Sequence, residues 1–365
     1  MKRSDAKRAS ENCGAPESLA DKAHLRHVSD EMPGLARRRR GKGFSYLDAK
    51  GLPLTDASDR ERIRTLAIPP AWTSVWICPI ANGHLQATGR DDRGRKQYLY
   101  HPRWSEVSNR AKFDRMLPFG ERLSRMRRQL ATDLSRRKLD RRKVLATVVQ
   151  LLDATLIRVG NREYAAENNS RGLTTLRERH VSVNGSDIQF RFHGKSGRKH
   201  RISLHDRRLA RILLQCEELP GQALFQYQNG DGEFVPIESD DVNRYLGEIG
   251  GEAFTAKDFR TWRGSAIAVG HLMEAAQDGA KATKRRVNEA IAATAEALGN
   301  TKTICRNYYI HPDVVDRYLS GALISCWEAF SPSSRSRLDR DEQFLLCLLR
   351  EMSSGNDPSR GHVRH

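Results

Sequence analysis

Between Val181 and Leu204 the sequence alternates as only β structure requires, inside a region whose other apolar residues recur at helical spacing. Val181-Ser182-Val183 runs into Asn184-Gly185, the dipeptide that most favours a two-residue hairpin turn. Ile188, Phe190 and Phe192 then alternate with polar residues. Gly194-Lys195-Ser196-Gly197 makes a second turn, and His200 to Leu204 returns. The expectation is a three-stranded antiparallel meander with Lys195 at a hairpin tip. On its N-terminal side Val144, Val148, Leu151, Leu152, Thr155, Leu156 and Val159 repeat every three or four positions, with Arg158 ending that helix and Gly160 placed to stop it. Helices also read at 206–217, 240–248, 258–275, 280–298 and 312–320.

Ahead of this region, from Lys42 to Trp104, short strand-like pieces are separated by turn residues. They are Phe44 to Leu47, Trp76 to Cys78, His84 to Thr88 and Gln97 to Tyr100, punctuated by Gly83, Gly89, Gly94 and Asp91-Asp92. A helix from Asp56 to Leu66, capped by Asp56 or Ser58, interrupts them. The fold class expected is α+β. A small β-rich domain spans 41–112, and a mainly α-helical domain containing the three-stranded sheet spans 113–325. Residues 1–40 lack a sustained apolar period, end in Arg37-Arg38-Arg39-Arg40, and read as a disordered basic arm. Residues 326–365 read as a C-terminal helix and a loose tail.

Charge narrows the partner. There are 63 Lys+Arg against 45 Asp+Glu in 365 residues, a formal net charge of +18, which points to a polyanion and above all to nucleic acid. Half of that excess lies between Arg110 and Lys143, with 13 basic residues against four acidic ones. Arg122, Arg125, Met126, Arg128 and Gln129 mix there with Leu123, Leu130 and Leu134 at helical spacing, which reads as an amphipathic helix with a cationic face or as a solvated helix with ordinary ion pairs. No apolar run approaches the length of a membrane span, the first residues lack a signal-peptide core, and the six cysteines are scattered with no C-x-x-C pair. A membrane protein, a secreted scaffold and an acidic tail-binder are excluded, a zinc site is not expected, and a reducing cytoplasm is the expected compartment.

The chemistry is found by elimination. Metal-dependent nucleases gather carboxylates, but the close pairs here are Asp91-Asp92, Glu217-Glu218 and Asp240-Asp241, none with a recognisable partner. Gly194-Lys195-Ser196 looks like the end of a phosphate-binding loop, yet Gln189 stands where a glycine is required and no helix follows. Neither a metal nor a nucleotide cofactor is expected. What remains are cations and a tyrosine: Arg158, Lys195, Arg260 within Lys257-Asp258-Phe259-Arg260-Thr261-Trp262-Arg263, and Leu298-Gly299-Asn300-Thr301 leading to Tyr308-Tyr309-Ile310-His311-Pro312. Taken singly, each has an ordinary structural use: ion-pair arginines, a solvated loop lysine, a helix-capping asparagine and a core tyrosine.

In this order the segments resemble the type IB DNA topoisomerases of the small poxvirus-like branch, also found in bacteria. The matching pieces are Ile157-Arg158-Val159-Gly160, Gly172 to Leu176 with His180-Val181, Phe192 to Gly197, Lys257 to Trp262, and Leu298 to Thr301 through Tyr309 to Pro312, with Asp91 to His101 in the first domain. The resemblance implies relaxation of supercoiled duplex DNA without ATP or metal, by single-strand cleavage through a 3′-phosphotyrosyl intermediate, strand rotation and religation. It assigns Tyr309 as nucleophile, with Tyr308 as runner-up, and Lys195 as proton donor to the leaving 5′-oxygen. Arg158 and Arg260 become phosphate clamps, and Asn300 a third phosphate ligand where the family often has histidine. It puts Gln97, Tyr98 and Tyr100 in the major groove of double-stranded DNA, and implies a monomer, cytoplasmic and nucleoid-associated. Two rivals stay open. A site-specific tyrosine recombinase shares the Arg, Lys, Arg and Tyr logic but carries a His-x-x-Arg box where this chain has Lys257 to Arg260. A non-catalytic DNA-binding protein uses the charge alone.

Overall fold

The structure, a computed structural model, describes residues 16–41, 43–277 and 282–354. It divides into two compact units between Asp114 and Arg115. The α+β class holds in both.

The first unit contains α1 (Pro16–Lys22), β1 (Leu35–Arg40), β2 (Gly43–Leu47), α2 (Ala57–Thr65), β3 (Thr73–Ile77), β4 (Leu85–Arg90), β5 (Lys96–Tyr100) and α3 (Pro102–Asp114). The strands form one antiparallel sheet in the order β2-β1-β3-β4-β5. Asp56 caps α2 by accepting from the Asp59 N–H at 2.7 Å, and buried Ile63 packs with Leu35, Leu54, Ile68, Val75, Ile77 and Ala87 to make the core.

The reading of residues 1–40 as a loose arm is overturned for its described part. Ala20 of α1, with Ala23 and Leu25 just beyond it, packs against Trp104 and Val107 of α3, and the arginine run is β1, held between β2 and β3. Composition misleads here because a strand is held by its backbone ladder, to which four charged side chains are no obstacle. Arg37 turns inward, donating to the carbonyls of Ile68 at 3.0 Å, Pro69 at 2.9 Å and Trp72 at 2.6 Å, with its guanidinium 4.1 Å from the Phe44 ring centroid. Arg38, Arg39 and Arg40 face solvent. Residues 1–15 lie outside the described residues.

The second unit opens with α4 (Met116–Leu134) and α5 (Arg141–Thr155), followed by α6 (Arg162–Asn168). The expected meander follows as β6 (Val181–Asn184), β7 (Asp187–His193) and β8 (Lys199–His205), in that order, with Phe190 paired to Val181 on one side and Ile202 on the other. Then come α7 (Arg207–Glu217), a short hairpin of β9 (Gln226–Gln228) and β10 (Phe234–Pro236) that the residue pattern did not suggest, and α8 (Ser239–Gly250). The chain continues with α9 (Ala256–Gln277), α10 (Lys284–Ala297), α11 (Lys302–Tyr308), α12 (Pro312–Leu319), α13 (Ala322–Ala329) and α14 (Arg340–Ser353).

Two packing features matter for the site. α5 is buried on nearly every side, as expected of a helix at the centre of a domain. α14 is part of the second unit's core, because fully buried Glu342 accepts from Arg127 of α4 at 2.6 and 2.8 Å and from the Trp262 indole of α9 at 3.1 Å. Tail residues 355–365 lie outside the described residues.

The cationic helix is α4, but its charges divide. Met116, Phe119, Leu123, Met126, Leu130 and Leu134 make the buried stripe, while Arg122, Arg125 and Arg128 face solvent. Arg127 is drawn inward to Asp153 and Glu342, and Arg136, Arg141 and Arg142 pair with Asp140, Asp241 and Asp133.

Candidate active site

The site is assembled around the end of α5. The helix stops at Thr155, not at Gly160, because Leu156 adopts a left-handed conformation (φ 56°) while its N–H still bonds to the Leu152 carbonyl at 3.0 Å. A β-carbon makes this region costly, by about 1–3 kcal/mol, and such strain persists only where the surroundings hold it. Residues beyond Leu156 leave the helix, so Arg158 sits on a non-helical segment. The Arg158 and Val159 carbonyls accept from the N–H groups of Leu173 at 2.9 Å and Thr174 at 2.8 Å. Gly172 permits this approach, since a β-carbon there would lie 2.4 Å from the Arg158 carbonyl oxygen.

Arg260, in the second turn of α9, is 4% exposed. Its guanidinium donates to the carbonyl of strained Leu156 and, at 2.8 Å, to that of Leu298. Its Nε is buried with no hydrogen-bond partner. Burial, and then the neighbouring Arg158, push its pKa down to about 10, with Tyr309 acting in the opposite direction.

Asn300 is placed by the end of α10. Gly299 (φ +58°) takes the left-handed C′ position, and the N–H groups of Asn300 and Gly299 return to the carbonyls of Ala295 at 2.8 Å and Glu296 at 3.0 Å, a Schellman motif. Asn300 Oδ1 accepts from Arg158 at 2.5 Å, and its buried Nδ2 has no hydrogen-bond acceptor. The capping use that the sequence allowed is therefore real, and it aims the side chain at Arg158.

Tyr309 closes the short helix α11, its N–H bonded to the Cys305 carbonyl at 2.9 Å. Gly264, one turn beyond Arg260 on α9, leaves room for it, since a β-carbon there would lie 2.6 Å from the Tyr309 carbonyl oxygen. Ser265 Oγ donates to that same carbonyl at 3.2 Å and accepts from the His311 N–H at 2.9 Å. The Tyr309 ring centroid is 5.5 Å from the Arg260 guanidinium carbon, whereas Tyr308 is exposed.

Lys195 lies on the turn between β7 and β8, exposed. With Arg158, Arg260 and Asn300 it lines one open cavity of about 960 Å³, whose wall also includes Arg198, Lys199, His200 and Arg201. Tyr309 is outside that wall, beside Arg260. Among the described residues no three His, Cys, Asp or Glu side chains gather as metal ligands would, and no helix is long and apolar enough to cross a membrane. The cavity is a concentration of fixed positive charge, which favours an anion.

A family model described as "Eukaryotic DNA topoisomerase I, catalytic core" matches residues 101–322, more than half of the chain. The chain belongs to the type IB DNA topoisomerases. A second model, "Bacterial DNA topoisomerase IB, N-terminal domain", matches residues 43–91. DNA topoisomerase 1B of Acanthamoeba polyphaga mimivirus is 28% identical over 306 residues, covering 82% of this chain and 89% of the relative. DNA topoisomerase 1B of Vaccinia virus is 30% identical over 142 residues, 38% of this chain and 45% of the relative. DNA topoisomerase 1 of Mycosarcoma maydis is 25% identical over 296 residues, 72% of this chain and 28% of the relative. The chain is an isomerase that relaxes DNA through single-strand cleavage.

In the first unit the three DNA-contact candidates divide between the two faces of β5. Tyr98 and Tyr100 are exposed at 48% and 42% and stack on each other with centroids 6.1 Å apart. Gln97 points to the other face, where its amide donates to Asp91 at 2.9 Å. Residue patterns missed Leu156, Gly264, Ser265 and His200, because their roles lie in contacts with distant segments.

Proposed function

We propose that Arg158, Lys195, Arg260, Asn300 and Tyr309 carry out the cleavage and religation. The observation that carries this reading is the guanidinium of Arg260, buried between the Leu156 and Leu298 carbonyls with Arg158 and Tyr309 as neighbours. A buried cation without a carboxylate partner is expensive unless an anion completes it. A phosphodiester supplies that anion, and its transition state adds charge to the non-bridging oxygens. Arg158 and Arg260 neutralise those oxygens, and Asn300 Nδ2 donates one further hydrogen bond.

Tyr309 rotates from its place beside Arg260 and attacks phosphorus. A P–O bond to the tyrosine forms as the P–O5′ bond breaks, leaving a 3′-phosphotyrosine. The phenolic proton leaves to solvent, while the same cations stabilise the phenolate as it develops. Lys195 gives its proton to the departing 5′-oxygen. Religation is the reverse, and because the phosphotyrosine conserves the bond, no ATP is consumed. The charge is supplied by side chains, so no metal is required.

The first unit contacts duplex DNA through Tyr98 and Tyr100, and the Gln97 amide reads a base edge once Asp91 releases it. The enzyme acts as a monomer, cytoplasmic and associated with the nucleoid.

The test is covalent capture. Supercoiled plasmid, quenched with denaturant, should yield a protein–DNA adduct with the wild type and with Tyr308→Phe. Tyr309→Phe should yield none while binding DNA normally, because its ring and packing survive. An adduct from Tyr309→Phe would transfer the nucleophile to Tyr308.

A further inference from the structure

We infer that His200 is a positioning residue that holds the Lys195 turn at a fixed distance from Asn300. The inference rests on the active-site reading above and extends it. His200 is on β8, five residues past Lys195, and lines the cavity. Its imidazole stacks on Phe192 of β7, with centroids 5.0 Å apart and planes 16° from parallel. The edge of the ring is in contact with two glycines from different parts of the chain. A β-carbon on Gly194 would fall 2.5 Å from Nε2, and one on Gly299 would fall 2.7 Å from Cε1. Gly194 precedes Lys195 and Gly299 precedes Asn300, so one flat ring separates the two backbones that carry these residues.

A second link acts in the opposite sense. Arg198, at the end of the Lys195 turn, donates to the Asn300 backbone carbonyl at 2.9 Å. Arg198 draws the turn toward Asn300, and His200 stops it. The two loops differ in what else holds them. Asn300 has the Schellman bonds and Arg158, whereas among the described residues the Lys195 turn is held, apart from Arg198, by its own backbone bonds, from the Gly194 N–H to the Arg198 carbonyl at 2.8 Å and from the Gly197 N–H to the Gly194 carbonyl at 3.0 Å. Removal of the ring therefore disturbs Lys195 more than Asn300. Burial, then Arg158, Arg198 and Arg260, hold the imidazole pKa below its ordinary value of 6.5, so it is a neutral spacer at neutral pH.

A ring that acts through Lys195 affects proton delivery to the leaving oxygen and little else, which makes it testable with a scissile 5′-bridging sulfur. A thiolate departs without a proton, since a thiol's pKa of about 8.5 lies far below that of an alcohol. His200→Ala should cleave the oxygen substrate about 10–100-fold more slowly, inside the range of a displaced general acid. It should recover most of that loss on the sulfur substrate, with DNA affinity unchanged. His200→Phe, which keeps a flat neutral ring on Phe192, should stay within about fivefold of wild type on oxygen, well short of the general-acid range. If His200→Ala does not fold, His200→Leu, which fills space without a flat ring, takes its place in the same comparison.

Lys195→Ala is run beside it. Failure of sulfur to rescue Lys195→Ala overturns the acid assignment itself. Rescue of Lys195→Ala together with equal losses for His200→Ala on both substrates, or with no loss on oxygen, overturns the positioning role alone.

Discussion

Asn300 and Lys195 look alike as exposed-turn polar residues in the sequence, but the structure gives them different chemistry. Asn300 holds Arg158 with Oδ1 and keeps Nδ2 buried and without an acceptor, which suits it to a non-bridging phosphate oxygen. Asn300→Ala should therefore slow cleavage by about 10²–10³-fold, the usual loss for one donor of an oxyanion site. That defect should be equal on oxygen- and sulfur-bridged substrates, because a non-bridging contact does not depend on the leaving group. Lys195→Ala should lose about 10²–10⁴-fold on oxygen and regain most of it on sulfur. Single-turnover cleavage on the paired substrates checks both. Sulfur rescue of Asn300→Ala, or its absence for Lys195→Ala, would exchange or remove these roles.

At the scale of elements, α9 carries Arg260, Gly264 and Ser265, and α14 steadies it through a buried ionic group. Glu342 is fully buried and takes bonds from Arg127 and Trp262, with Arg263 at 3.2 Å. Burial alone raises its pKa, but Arg127 and Arg263 outweigh this and leave it below the ordinary 4.5. A carboxylate with a depressed folded-state pKa stabilises the fold above its unfolded-state pKa, and that contribution is lost as pH falls through the folded value. Glu342→Gln should cost about 3 kcal/mol near neutral pH, since it leaves buried cations short of a partner. The variant should also show a shallower loss of stability than the wild type as pH falls below the ordinary glutamate value of 4.5, measured by denaturant unfolding. Equal pH slopes would remove Glu342 from the acid limb. In the first unit, Arg37→Ala strips donors from three carbonyls and should destabilise by about 2 kcal/mol, whereas Arg39→Ala, on the exposed end of the same strand, should change stability by less than about 0.5 kcal/mol.

For the whole molecule, with its net charge of +18, the number of phosphates contacted sets how binding responds to salt. Each phosphate contact removed should reduce the slope of log K against log salt by about 0.9. Replacing Arg38, Arg39 and Arg40 together by alanine should flatten that slope without unfolding the protein. Deletion of residues 1–40 should instead unfold the first unit, because it removes β1 from between β2 and β3. An unchanged slope in the triple variant would mean that this strand does not touch DNA. If Arg158, Arg260 and Lys195 supply the neutralising charge, as proposed, relaxation should proceed in EDTA without ATP. Complete loss of relaxation in chelator would sink the metal-free mechanism.

The meander and the helical body were legible in the residues, because alternation, helical spacing and turn chemistry are local properties of a chain, whereas the set Arg158, Lys195, Arg260, Asn300 and Tyr309 was suggested by the resemblance of whole segments to a known family. Local patterns could not show that α5 stops at a strained Leu156, since a left-handed leucine is paid for by contacts with Arg260, more than a hundred positions away in sequence. Nor could they separate Arg37, bonded to three carbonyls, from the three exposed arginines after it, or Arg127 from its solvent-facing neighbours. Charge is written in the sequence, but burial and partnership depend on which distant backbone comes within hydrogen-bonding reach. The same holds for His200: its role follows from two glycines, Gly194 and Gly299, that only the folded chain brings to opposite sides of one ring.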